Sequence, residues 1–412
     1  MRSVLILGAS SLQMPLIEFV KKRGFRTIVV SIPGNYPGFS IADKSIYCDV
    51  RDAEAILSQI SGEDIVAVLT DETDISVPTV AVIAEKLGLS STLPEIANVY
   101  SNKYMMREAC KRAGVPVPNY IQVSENSEIE ILCKGISFPA MIKPEDNQGS
   151  RGVYRVENIA DILNHLADSL SYSSTNRVIV EEFFQGKEYV VEGFVIDGQY
   201  INWGIAERRY FDIANRFIPS QTIFPAILED KIKNKLIESE RKLHHYLNPS
   251  YGMIHSEYII SDNGEFILVE TALRGGGVYI SSHLVPLYTG YDNYSLLLDC
   301  SLGKKLKASD VIFDKKGKAS AYMCFYLAPG IIESIRGVEE LQSSHQIVFA
   351  GFDGIEVGKT INPIENKTQR LGPIIIAADN REDLEEVMKY VMNTLQIVVR
   401  TVTGEKEKIR WE

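Results

Sequence analysis

Several signatures that would settle a function early are missing from this chain. Cysteine is scarce: Cys48, Cys110, Cys133, Cys300 and Cys324 are scattered, odd in number and never spaced as CxxC. That set suits reduced structural thiols in a cytoplasmic protein. Basic residues are the minority, 43 Lys and Arg against 54 Asp and Glu, for a formal net charge of -11. A general nucleic-acid or membrane-surface binder needs basic patches to displace counterions, so both classes are disfavoured. Long apolar runs are absent too. Val4-Leu5-Ile6-Leu7 stops at Gly8, too short for a signal segment or a membrane span, and no later stretch reaches spanning length. The dinucleotide fingerprint GxGxxG fails after Gly8, because Ser10 and Gln13 stand where glycine is required, and the phosphate loop GxxxxGK[ST] does not occur. Histidine is rare as well. His244 and His245 lack the spacing of a metal pair, and His283 reads as a packed side chain rather than a base.

What remains is an ordinary globular composition, 45% hydrophobic and 24% charged over 412 residues, enough for about two to four compact units. Ser3 to Leu7, Thr27 to Ser31, Ile46 to Asp49 and Ile65 to Leu69 read as short strands alternating with helical spacing at Leu16 to Gly24 and Val77 to Leu87. Residues 1–95 are therefore expected to form a doubly wound parallel sheet of the α/β class. Ligands bind such sheets at the carboxyl ends of the strands, which puts Gly8 to Ser11 and Thr70-Asp71-Glu72 near a site.

The most informative stretch runs from Tyr251 to Gly277. Two apolar runs, Met253 to Ile260 and Glu265 to Thr271, flank Ser261-Asp262-Asn263-Gly264, whose Asn-Gly pair signals a hairpin. Pairing across that turn can bring Glu257 and Glu270 together. Strands disfavour glutamate, and like charges close together on a sheet repel. A divalent cation reverses that repulsion, and carboxylate oxygens suit magnesium, which keeps waters and takes other ligands from phosphates. Arg274 follows in a glycine-rich turn from which it could reach a phosphoryl group. The competing reading is a surface hairpin with solvated glutamates.

Further signals precede the hairpin. Lys103 opens a helix after Ser101-Asn102, where the positive end of the helix dipole disfavours a cation. A strand over Phe138 to Pro144 delivers Lys143 to its end, and Gly149-Ser150-Arg151-Gly152 follows as a loop whose backbone can wrap phosphate oxygens beside that lysine. Val178 to Glu188 reads as a strand running into an apolar and acidic linker, a plausible adenine slot. Ala319 onward changes to short strands and a closing helix face at Leu384 to Leu395, with no catalytic constellation.

Taken in order, these phrases resemble the ATP-grasp superfamily of carboxylate-amine ligases, as in L-amino-acid ligases, biotin carboxylase and the large chain of carbamoyl phosphate synthase. His-Ser-Glu followed by Glu-Thr-Ala-Leu-Arg-Gly-Gly-Gly looks like the family's metal hairpin, and Glu-Glu-Phe-Phe-Gln-Gly-Lys-Glu like its adenine linker. The resemblance implies an ATP-grasp fold of the α/β and α+β classes: an N-terminal unit at 1–95, the ATP-grasp domain at 96–308 with a lid at about 115–183, and a C-terminal α+β unit at 309–412 walling the substrate cleft. It implies ATP and Mg2+ as cofactors, with Glu257 and Glu270 as metal ligands. Lys103, Lys143, Gly149, Ser150 and Gly152 would hold phosphates. Glu181, Glu182, Phe183 and Glu188 would hold adenosine, and Arg274 and Arg209 would act in catalysis. One departure stands out: Ala272 occupies the place of the asparagine that usually adds a magnesium ligand. The implied reaction forms an amide or peptide bond between a small carboxylate and an amine through an acyl phosphate, releasing ADP and phosphate, in a possible homodimer. The alternatives are formate or bicarbonate activation in nucleotide synthesis, and ATP binding without turnover.

Overall fold

The computed structural model describes residues 1–213, 217–313, 317–364 and 367–411. Its first sheet has four strands, in the spatial order Lys44–Tyr47, Arg26–Ser31, Ser3–Leu7 and Ile65–Leu69, all parallel. Every residue of Ser3–Leu7 is buried, as expected for a central strand covered on both faces. The order reverses beside that strand, between Ser3–Leu7 and Ile65–Leu69. A crevice therefore opens there, bordered by Gly8 and by the segment Thr70 to Asp74.

A second sheet of four antiparallel strands contains Tyr120–Ser124, Arg177–Glu182, Ala140–Pro144 and Tyr154–Val156, with the helix Ile159–Ser171 packed on it. Between the two in sequence lies the helix Lys103–Ala113. Asn102 caps its N-terminus by accepting from Met105 N at 2.9 Å, and Gly114 closes it in the left-handed region, φ 70°.

The hairpin forms as the alternation requires, from Tyr251–Ile260 and Phe266–Ala272. It is one edge of an eight-stranded sheet that continues through Lys187–Ile196, Gln199–Tyr210, Pro219–Phe224, Ala319–Phe325, Leu371–Ala378 and Ile347–Ala350. The sheet thus runs unbroken past residue 308, where the sequence suggested a boundary. Pro219–Phe224 pairs directly with Ala319–Phe325, so the last third extends the central sheet instead of forming a sheet apart. Its own core gathers Met323, Phe325, Leu384, Val387 and Val391 under the helix Arg381–Thr394. A small antiparallel sheet built on Gly330–Arg336 and Gln396–Thr401 completes it. Among the described residues no helix is long and apolar enough to cross a membrane.

Candidate active site

Register decides which side chains meet. Glu257 lies directly opposite Glu270 across the hairpin. On the other side the same strand pairs Glu257 with Val190, and Glu188 lies two residues from Val190 on its strand. Paired residues share a face and the side-chain period is two, so Glu188, Glu257 and Glu270 all project to one side. Continuing the register from the Glu207–Tyr189 pair puts Arg208 opposite Glu188, on that same side.

The contacts follow. The Arg208 guanidinium donates to Glu257 Oε1 and to Glu188 Oε1, each at 2.5 Å, and Tyr210 OH donates to the other oxygen of Glu188. Lys103 Nζ pairs with Glu270 Oε1 at 2.9 Å and donates to Asn147 O at 2.8 Å. Behind Glu257, His255 Nε2 stands 3.4 Å from Oε1 while its Nδ1 meets Glu192. Burial alone would raise Glu257, but Arg208 and His255 outweigh it and hold this carboxyl well below its ordinary value. For Glu188 burial dominates, Glu257 adds to it and the carboxyl is raised despite Arg208. Burial also depresses His255, yet Glu192 and Glu257 together more than compensate and favour the imidazolium.

Arg209 is a correction. The strand alternation that brings Arg208 to the carboxylates sends Arg209 to the opposite face, where it pairs with Glu207 at 2.9 Å and Glu385 at 3.0 Å. Glu181 and Glu182 are both engaged by groups of the protein itself. Glu181 is 2% exposed and clasped by Arg107 Nε at 2.5 Å and by Lys143 Nζ. Arg107 is fully buried and also donates to Val269 O at 2.6 Å, so one ion triad ties the lid sheet, the helix and the hairpin together. Glu182 points the other way and accepts from Asn119 Nδ2 at 2.9 Å and Ser137 N at 2.8 Å, bracing the lid. Phe183 lies in the expected linker. Its N–H donates to Pro139 O at 2.9 Å, and the Arg155 guanidinium sits 4.7 Å over its ring.

The glycine loop has the shape expected of it. Gly149, Ser150 and Gly152 all have positive φ, 81°, 59° and 69°. A side chain at Gly152 would also meet the Tyr172 ring at 2.8 Å, so glycine is required there twice over. The loop rests on the first domain: Gln148 Oε1 accepts from Asp74 N at 2.9 Å and its Nε2 donates to Thr73 Oγ1 at 3.1 Å.

Arg274 is held by Asp74, which accepts from Nε at 2.8 Å and Nη2 at 3.0 Å. Beside it Asp71 accepts from Gly275 N at 3.0 Å, Ser281 Oγ at 2.6 Å and Tyr294 OH at 2.6 Å, and Glu72 accepts from Tyr279 N. Burial, with Asp71 adding to it, raises Glu72 well above the carboxylate range. Lys367 comes from the last third, in the short turn Lys367–Gln369, and its charge bears on Glu257, Glu270 and Asp74. Burial lowers its ammonium, and Glu257 and Glu270 offset this only in part. Sequence reading found no constellation in that unit and so missed Lys367. It also missed Arg107 and Asp74, whose partners lie 74 and 200 residues away.

Two opposed carboxylates fit a magnesium ion that completes its shell with water and phosphate. Ala272 supplies no third ligand, and among the described residues no cluster of three or more metal-binding side chains occurs. The face therefore carries a minimal carboxylate pair with Lys103, Arg208 and Arg274 around it.

The family model described as ATP-grasp domain matches residues 136–282, and the one described as L-amino acid ligase C-terminal domain 2 matches residues 323–400. The alanine–anticapsin ligase of Bacillus subtilis (strain 168) is 26% identical over 271 residues, covering 60% of this chain and 57% of that enzyme. The formate-dependent phosphoribosylglycinamide formyltransferase of Methanocella arvoryzae is 19% identical over 412 residues, covering 96% and 92%. Among solved structures, the L-amino acid ligase from Bacillus licheniformis superposes with a TM-score of 0.80 at 19% identity, covering 97% of this chain and 99% of that one.

Proposed function

Because this chain belongs to the ATP-grasp superfamily of ADP-forming ligases, we propose that it joins the carboxylate of one amino acid to the amine of another through an acyl phosphate. The observation that carries the proposal is the pairing of Glu257 with Glu270 beneath Lys103, Arg208 and Arg274. The match to the L-amino acid ligase C-terminal domain favours amino acids as the substrates.

The acid's oxygen attacks the γ-phosphorus of ATP and the bond to ADP breaks. The amine nitrogen then attacks the acyl carbon, phosphate leaves and the nitrogen loses a proton. Catalysis of the first step is chiefly positioning and charge neutralisation. Magnesium, when bound at Glu257 and Glu270, would neutralise charge on the phosphates. Lys103 and Arg208, which now neutralise those two carboxylates, would be released toward the phosphate oxygens. Arg274 would stabilise charge on the transferring group and on the tetrahedral adduct. Lys143 would reach the phosphates from the lid strand, and the loop at 149–152 would cover them with backbone N–H groups.

The test is magnesium-dependent phosphate release from ATP across amino acids offered singly and in pairs, with mass analysis of the product. Release that requires a pair, with a product lighter than their sum by one water, supports the proposal. Release only with formate or bicarbonate assigns the chain to that other chemistry, and tight ATP binding without release under any pair removes ligase turnover.

The two neighbouring arginines separate cleanly. Arg208→Gln is expected to lower kcat about 100-fold or more, the range for removing one preorganised donor. Arg209→Gln should stay within about threefold, because its partially exposed pairs contribute about 1 kcal/mol or less and face away from the carboxylates. Steady-state ADP release from the two variants, at saturating ATP, checks this.

A further inference from the structure

The loop after the strand Ile65–Leu69 carries three carboxylates that grip the segment following Glu270, but they do so differently. Asp71 and Glu72 are buried and bind backbone N–H groups and hydroxyls of that segment. Asp74, by contrast, joins Arg274 to the lid loop and to the segment just before the Lys103 helix. Its carboxylate clasps the Arg274 guanidinium through two donors, at 2.8 and 3.0 Å. Its N–H donates to Gln148 of the lid loop at 2.9 Å. Its carbonyl accepts from Ser101 Oγ at 3.1 Å, just ahead of the helix that presents Lys103. Lys103 in turn links Asn147 of the same lid loop to Glu270.

We propose that Asp74 is a positioning residue that couples lid closure to Arg274: docking of Gln148 on the Thr73 hydroxyl and the Asp74 N–H fixes the loop whose carboxylate holds the arginine in its working orientation. The coupling is local. A lid raised from this contact removes two hydrogen bonds from Thr73 and Asp74 and loosens the clamp on Arg274, so the arginine is presented to the transferring group only beneath a closed lid. Water is then excluded before charge is stabilised, which protects an acyl phosphate from hydrolysis. This inference rests on the ligase reading for its consequence in turnover, but the coupling itself is measurable without turnover.

The experiment is hydrogen exchange of the full chain with saturating magnesium and ADP, comparing wild type, Gln148→Ala and Asp74→Asn. Thermal unfolding of each variant establishes that it is folded. Gln148→Ala is expected to speed exchange at least about threefold in the lid loop 146–152 and also in the distant segment 274–278. Asp74→Asn keeps the N–H that docks Gln148 and changes only the carboxylate, yet is expected to speed exchange in the lid loop by a similar factor, because linkage between two sites is reciprocal. Confinement of the effect to the lid in the first variant, or to 274–278 in the second, overturns the coupling. In turnover, Asp74→Asn should lower kcat about 10- to 100-fold while KM for ATP moves less than about threefold. A wild-type protein that turns over with no substrate pair would sink the ligase reading and leave the exchange result standing on its own.

Discussion

Glu257→Gln and Glu270→Gln are each expected to cut magnesium-dependent ADP release by about 100-fold or more, equivalent to about 3 kcal/mol or more of lost transition-state stabilisation. The two carboxylates face one another in register, and Ala272 leaves no third ligand beside them. Either loss therefore halves the protein's share of the metal shell. Titrating magnesium at saturating ATP checks the origin of the effect. A metal-site loss raises the magnesium concentration needed for half-maximal rate by about 10-fold or more. Wild-type rates in both variants would remove the hairpin from the active site.

Glu181→Gln is expected to lower the unfolding free energy by about 3–5 kcal/mol, the cost of stranding a buried charge by removing its partner. Arg107 is fully buried, so water cannot replace the lost carboxylate. Burial pushes Glu181 up, but the charges and hydrogen bonds of Arg107 and Lys143 outweigh it and bring the carboxyl down to about 2. A depressed carboxylate contributes stability above its unfolded value of about 4.3, and that contribution disappears as pH falls through the folded value. Wild type should thus lose about 3 kcal/mol from this group between about pH 5 and about pH 2, and Glu181→Gln should lack that component. Urea unfolding at pH 7 and at stepped acidic pH measures both. A difference at pH 7 below about 1 kcal/mol would show that the triad does not clamp lid to hairpin.

How much of this was legible depends on the range of the interactions involved. The hairpin could be read from an Asn-Gly turn between alternating runs, and the confrontation of Glu257 with Glu270 follows from its register. The parallel sheet was legible from short apolar strands separated by helical spacing, and the loop at 149–152 from its glycines. Arg208 and Arg209 were seen as a pair, but which of them faces Glu188 is set by strand register, which adjacent residues do not reveal. Glu181 resembles an adenine contact in its local phrase, and its pairing with Arg107, 74 positions earlier, is not visible there. Asp74 and Lys367 meet the site only through tertiary folding, from the first domain and the last third. The continuity of the eight-stranded sheet past residue 308 was hidden for the same reason: pairing of Pro219–Phe224 with Ala319–Phe325 spans about a quarter of the chain.

The chemistry proposed for this face is activation of a carboxylate by phosphorylation. Its most direct test uses the amino acid pair that supports turnover, with the carboxyl group of the acid labelled with heavy oxygen. One labelled oxygen is expected in the released phosphate for each amide bond formed. Unlabelled phosphate accompanying product would contradict it, because the acid would then have been joined without passing through an acyl phosphate.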